Sequence, residues 1–104
     1  MNWQVYIIRC SDLSLYTGIT TDVERRWRQH AGGRGARYFR SREPVEVVYL
    51  EAGHDRGSAS RREADIKKLR RVAKEHLIRS ACNQLHALVG AEVKNVDKGS
   101  DRDA

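Results

Sequence analysis

"LYTGIT", residues 15–20, decides the fold, because it starts as a β-strand and ends where the chain turns toward a helix. Leu15 and Ile19 alternate with less apolar neighbours, while Tyr16 places a large phenol two residues from Gly18. A glycine inside a strand packs poorly and marks a close approach by something else. Upstream, "WQVYIIRC" (3–10) is rich in β-formers and "SDLS" (11–14) supplies turn residues, so the two segments read as a hairpin. Trp3, Val5 and Ile7 in the first strand and Leu13, Leu15 and Ile19 in the second form the steadier apolar set. If these odd positions share one face, Tyr6, Tyr16 and Gly18 share the other. Ile8 and Cys10 make the first strand apolar on both faces, and a one-residue slip would separate the two tyrosines.

The segment that follows, "TTDVERRWRQHAGG" (20–33), carries helix start and stop signals. Thr21 with Glu24 fits a capping box, and Gly32 and Gly33 close the helix. Val23 and Trp27, at i and i+4, form the inward stripe, with Arg25 and Arg28 outward and Arg26 and His30 flanking. "GRGARYFRSREP" is read as irregular, with one helical turn at "ARYFR"; "VEVVYLEA" after Pro44 is the third strand, and "GHDRGS" ends it. From Ser58 or Ser60 a second helix places Ala59, Arg62, Ile66, Leu69 and Ala73 near one side. A third helical stretch, "AKEHLIRSACNQLHAL", follows, and the chain ends in a tail without periodicity. The order β-β-α-β-α-α implies an α+β fold: a small three-stranded, mostly antiparallel sheet flanked by helices.

At 104 residues the chain is expected to form one domain, placed at residues 1–82, with 83–104 as a C-terminal extension whose end is flexible. Hydrophobic residues at 39% and charged residues at 33% suit a water-soluble core of modest size. No apolar run nears the roughly 20 residues of a membrane helix. Gln4 and Arg9 interrupt the segment that a signal peptide would need, so no membrane association and a cytoplasmic location are expected. Cys10 and Cys82 lack metal-ligand spacing and read as small buried hydrophobes in a reducing compartment.

The net charge of +6 is carried by 15 arginines and only 5 lysines. A planar guanidinium grips phosphate bidentately where an ammonium is a point charge. Between residues 25 and 42 lie Arg25, Arg26, Arg28, Arg34, Arg37, Arg40 and Arg42 with no acid among them, a candidate phosphate-binding surface or a solvated face. Glu63 stands apart among Arg61, Arg62, Lys67, Lys68, Arg70 and Arg71. A carboxylate there can hold a hard cation such as Mg²⁺, or it can complete an S-x-x-E cap with Ser60. Tyrosines in strands usually pack with a wet hydroxyl, and a histidine near a helix end usually meets the last carbonyls.

The residues "QVYIIRC", "LYTGIT" and "DVERRWRQH" resemble the GIY-YIG nuclease domain, whose two name-giving tripeptides fall here on Gln4-Val5-Tyr6 and Tyr16-Thr17-Gly18. The resemblance covers roughly residues 3–80 and is similar to the small, stand-alone, largely uncharacterised bacterial members. It implies hydrolysis of a nucleic-acid phosphodiester with one divalent cation, Mg²⁺ or Mn²⁺. Within it, Tyr6 is the general base or water holder, its pKa lowered by the metal and a nearby cation, and Tyr16 bonds to the water or phosphate. Arg26 stabilises phosphoryl charge, Glu63 binds the metal, His30 assists proton transfer and Gly18 lets the phosphate backbone approach. Arg25, Arg28, Arg34, Arg37, Arg40 and Arg42 would bind substrate. Two positions depart from the family pattern: Gln4 replaces the first glycine, with little consequence expected, and no asparagine lies 12 to 15 residues past Glu63, Asn83 coming later.

Two functions from different classes follow. One is a metal-dependent endonuclease, directed by structure rather than sequence and serving DNA repair or processing. The other is a non-catalytic module that holds DNA or RNA through the same arginines. DNA is expected ahead of RNA, with a protein partner for targeting, and the chain as a monomer or weak dimer.

Overall fold

The computed structural model describes residues 2–88. Strand β1 (Trp3–Cys10) lies at the centre of an antiparallel sheet of order β2-β1-β3, flanked by β2 (Leu15–Thr20) and β3 (Pro44–His54). Both faces of β1 are covered, which explains why it is apolar at even and odd positions alike. Tyr6, Ile8 and Cys10 pack with Val23, Phe39 and Leu50 on one face; Val5 and Ile7 pack with Tyr49, Ala59 and Ile66 on the other. Val5, Ile7 and Ile8 are fully buried, each worth about 1.5–3 kcal/mol of transfer free energy.

The hairpin pairs Tyr6 with Gly18 and Ile8 with Tyr16, so both tyrosines and the glycine lie on one face, as the alternation predicts. Leu13 does not join the apolar set. It sits in the connecting turn at φ 70°, 61% exposed, where its amide donates to the Cys10 carbonyl.

Helix α1 (Val23–Ala31) begins one residue later than the Thr21/Glu24 pattern suggests. Its cap is Asp22, whose Oδ1 accepts from the Arg25 amide at 3.1 Å. Gln4 also serves this end, its Oε1 accepting from the Val23 amide at 3.2 Å, so the residue in place of the family's glycine anchors the helix to β1. Val23 is buried and Trp27 half-buried, as expected of the stripe, but the most deeply buried residue of α1 is His30. The helix stops at Gly32 and Gly33, the latter at φ +78°, in the left-handed region that favours glycine.

After a short 3₁₀ turn (Arg37–Arg40) and β3, helix α2 (Arg56–Lys67) covers the second face through Ala59 and Ile66. It starts before either serine proposed from sequence. Asp55 is the cap, accepting from the Ser58 amide while the Ser58 hydroxyl accepts from the Asp55 amide, a reciprocal box. Glu63 is therefore mid-helix, and the capping role with Ser60 is excluded. Helix α2 ends at Lys67, so Leu69 (38% exposed) and Ala73 leave its stripe, Ala73 lying in α3 (Arg71–Ile78).

Arg9 on β1 grips Glu75 of α3 with both terminal nitrogens, at 3.0 and 3.1 Å. Asn83 closes the free edge of β3, accepting from the Leu50 amide and donating to the Val48 and Ile78 carbonyls. Residues 83 and 84, assigned from sequence to the extension, are thus bonded to the sheet ahead of a last short helix, α4 (Leu85–Leu88). Cys10 is buried as expected, whereas Cys82 is exposed because it lies in the turn leaving α3. The tail expected from residue 90 onward lies outside the described residues. Among the described residues no helix is long and apolar enough to cross a membrane.

Candidate active site

The face carrying Tyr6 is where most of the sequence-selected polar residues meet. Tyr6 lies across β2 directly over Gly18. A Cβ on Gly18 would stand 2.5 Å from the phenolic oxygen and 2.6 Å from Cζ. The group that comes close to the Cβ side of this glycine is therefore the Tyr6 phenol. Tyr16, two residues earlier on the same face, is half-buried with its ring 6.2 Å from that of Tyr6 and 5.6 Å from that of His30.

His30, in the last turn of α1, bonds the Tyr6 oxygen through Nε2 at 2.8 Å. Its Nδ1 accepts from the Ala36 amide at 3.2 Å. Burial, aided by the Arg26 charge, pulls its pKa down to about 4, so the imidazole is neutral at neutral pH. Phe39 packs against its other side with ring centres 4.4 Å apart.

Arg26 stands one helical turn before His30 and is half-buried. One terminal nitrogen donates to Gln29 Oε1 at 3.0 Å, while its buried Nε has no hydrogen-bond partner. A buried donor left open is costly unless a ligand completes it. This guanidinium pulls the Tyr6 pKa down, but burial and Tyr16 push it up more, so the Tyr6 pKa stands well above its ordinary value. The lowering expected from the cation is present and outweighed.

Glu63 is largely buried and pairs with Lys67 at 3.0 Å across one turn of α2. Its charge acts on the Tyr6 hydroxyl, raising the phenol's pKa, which brings it into the same neighbourhood. Among the described residues no cluster of three or more His, Cys, Asp or Glu could cage a metal. A lone carboxylate still fits Mg²⁺, which keeps several waters and binds through one or two carboxylates plus substrate phosphate.

Arg25, Arg28, Arg34, Arg37 and Arg40 are exposed. Arg42 is exposed too but engaged: it donates to Asp12 at 3.0 Å and stacks over the Tyr38 ring at 4.4 Å. Sequence reasoning did not single out Gly35, Ala36, Tyr38 or Phe39. Gly35 was visible only as a glycine in an arginine-rich loop, and the amide of Ala36 carries no side-chain signal at all.

Residues 2–76 match the GIY-YIG catalytic domain. A UPF0213 protein of Haloquadratum walsbyi is 53% identical over 73 residues, covering 70% of this chain and 82% of the relative. Another, from Halalkalibacterium halodurans, is 47% identical over 78 residues, covering 75% and 83% of the two chains. The solution NMR structure of a UPF0213 protein from Bacillus halodurans superposes with a TM-score of 0.51 at 42% identity, covering 96% of this chain and 98% of that one. Strand order, the paired tyrosines and the breadth of these matches lead to one conclusion: the chain belongs to the GIY-YIG catalytic domain family.

Proposed function

We propose that the protein is an endonuclease that hydrolyses nucleic-acid phosphodiester bonds with the help of one divalent cation. The observation that carries the proposal is the buried, partnerless Nε of Arg26 beside a Tyr6 oxygen that is already hydrogen-bonded to His30. The oxygens of a scissile phosphate that reached this guanidinium would complete it, and a charge gains most where water is excluded. Arg26 then stabilises the charge that grows on the phosphoryl oxygens.

Tyr6 would hold the attacking water and accept its proton. Tyr16 orients the water or the phosphate from the neighbouring strand position. Glu63 would hold Mg²⁺ or Mn²⁺, which when bound polarises the phosphate and stabilises the leaving oxygen. The exposed arginines hold the flanking backbone and carry no base-reading function, in keeping with a structure-directed substrate and a role in DNA repair or processing.

A second reading, a non-catalytic module for DNA or RNA, draws on one observation: burial pushes the Tyr6 phenol toward its protonated form. Incubating the protein with nicked, flapped, branched and single-stranded substrates in Mg²⁺ or Mn²⁺ separates the two. Cation-dependent cleavage abolished by Glu63→Ala supports the nuclease; tight binding without cleavage of any substrate supports the module.

A further inference from the structure

The arginine-rich loop meets the Nδ1 side of the His30 ring through backbone atoms, while its Phe39 side chain packs against the ring. Gly35 lies against the imidazole so closely that a Cβ there would overlap the ring, standing 2.6 Å from Cε1 and 2.8 Å from Cγ. The next amide, Ala36 N–H, donates to Nδ1 at 3.2 Å. An amide nitrogen has a proton to give and no lone pair to offer, so Nδ1 is the unprotonated nitrogen of the ring. The proton of the neutral imidazole then sits on Nε2, 2.8 Å from the Tyr6 oxygen.

We propose that Gly35 and the Ala36 amide are positioning residues that lock His30 in its Nε2–H tautomer, so that His30 donates to the Tyr6 oxygen instead of accepting its proton. In the opposite tautomer the Nε2 lone pair would take the Tyr6 O–H and tie that proton to the ring. With the tautomer locked, the Nε2–H and Arg26 favour the phenolate that burial and Tyr16 oppose, and the proton Tyr6 gives up in reaching it leaves to bulk water. The phenolate then takes one proton from the attacking water, whose oxygen bonds to phosphorus as the scissile P–O bond breaks and its electron pair leaves on the departing oxygen, which takes a proton from solvent. The groups facing the His30 ring are Tyr6, Tyr16, Phe39 and Arg26. The bond to Nδ1 comes from the Ala36 amide instead. The same loop leads into the 3₁₀ turn bearing exposed Arg37 and Arg40, so holding substrate and setting the tautomer fall to one segment.

The effect on rate rests on the nuclease reading; the tautomer does not. The test is nitrogen NMR of the His30 ring in the free protein and in a variant whose Ala36 peptide N–H is replaced by an ester oxygen, which removes the donor and keeps the side chain. The wild type is expected to show Nε2–H alone, and the ester variant to shift to Nδ1–H. Gly35→Ala, which pushes the loop off the ring, is expected to shift it in the same direction. In cleavage assays kcat should fall about 10–100-fold in the ester variant with KM unchanged. A wild-type ring protonated on Nδ1, or an ester variant that keeps Nε2–H and wild-type kcat, would overturn the proposal. Because the tautomer is read without substrate, absence of cleavage by the wild type would count against the nuclease reading, and the spectrum would still decide this one.

Discussion

The phenol of Tyr6 rests on Gly18, and the cross-strand pairing of these two residues is what gives the site its depth. Any side chain at position 18 would lift the ring and carry its hydroxyl away from His30. Gly18→Ala is expected to destabilise the fold by about 1–3 kcal/mol, the usual cost of overpacking a tight core. Urea unfolding measures it, and an unchanged midpoint would show that the ring moves freely.

Tyr6→Phe keeps the ring over Gly18 and removes only the oxygen. The fold should lose roughly 1–2 kcal/mol, because His30 Nε2–H is left buried without its acceptor. Cleavage should fall by about 10²–10⁴-fold, the range for a lost general base. A Phe variant that cleaves at the wild-type rate would remove Tyr6 from the chemistry.

The alternation that predicted this face was readable because both strands of the hairpin bury distinct sets, and a slipped register would have exposed one of them. What sequence could not supply was the occupant of Gly18: Tyr6 lies 12 positions away, and only the strand pairing puts it there. The short S/T-x-x-E patterns at Thr21 and Ser60 misled for a related reason. Asp22 and Asp55 stand nearby with geometry that satisfies the helix amides better, and one of those false caps obscured Glu63. Asn83 was uninterpretable by spacing, since its partners Leu50 and Val48 belong to a strand more than 30 residues earlier. The lock on His30 left no trace in sequence, because its donor is a main-chain amide.

Acid should weaken the fold in two steps. Unfolded His30 protonates near 6.5, whereas the folded ring resists to about 4, so between those values the unfolded state binds the extra proton. Stability is then full above pH 6.5 and falls by roughly 2–3 kcal/mol as the pH drops toward 4. Glu75, held down to about 2 mainly by its hydrogen bonds from Arg9, adds a second loss as the pH falls from 4.5 toward 2. Denaturant titrations at a series of pH values check both. His30→Gln should flatten the upper step and Glu75→Gln the lower.

Removing Asn83 should detach the edge of β3. Asn83→Ala leaves the Leu50 amide and the Val48 and Ile78 carbonyls without their partner, and a loss of about 2–3 kcal/mol is expected. Hydrogen exchange at Leu50 is the local readout, and unaltered protection there would contradict the bracing role.

Arg37 and Arg40 are exposed and are expected to meet phosphate. Replacing either with Ala should weaken binding to nucleic acids of different sequence by a similar factor. It should also reduce the slope of log affinity against log salt by about 0.7–0.9 per arginine. A sequence-selective loss would indicate base contact instead.

The central claim is that Arg26 completes its open Nε with a scissile phosphate, and single-turnover cleavage by Arg26→Ala with Mg²⁺ or Mn²⁺ tests it most directly. The rate constant should fall about 10²–10³-fold, the usual loss of one charge-stabilising donor, while substrate affinity changes far less. Cleavage at the wild-type rate by that variant would contradict the account.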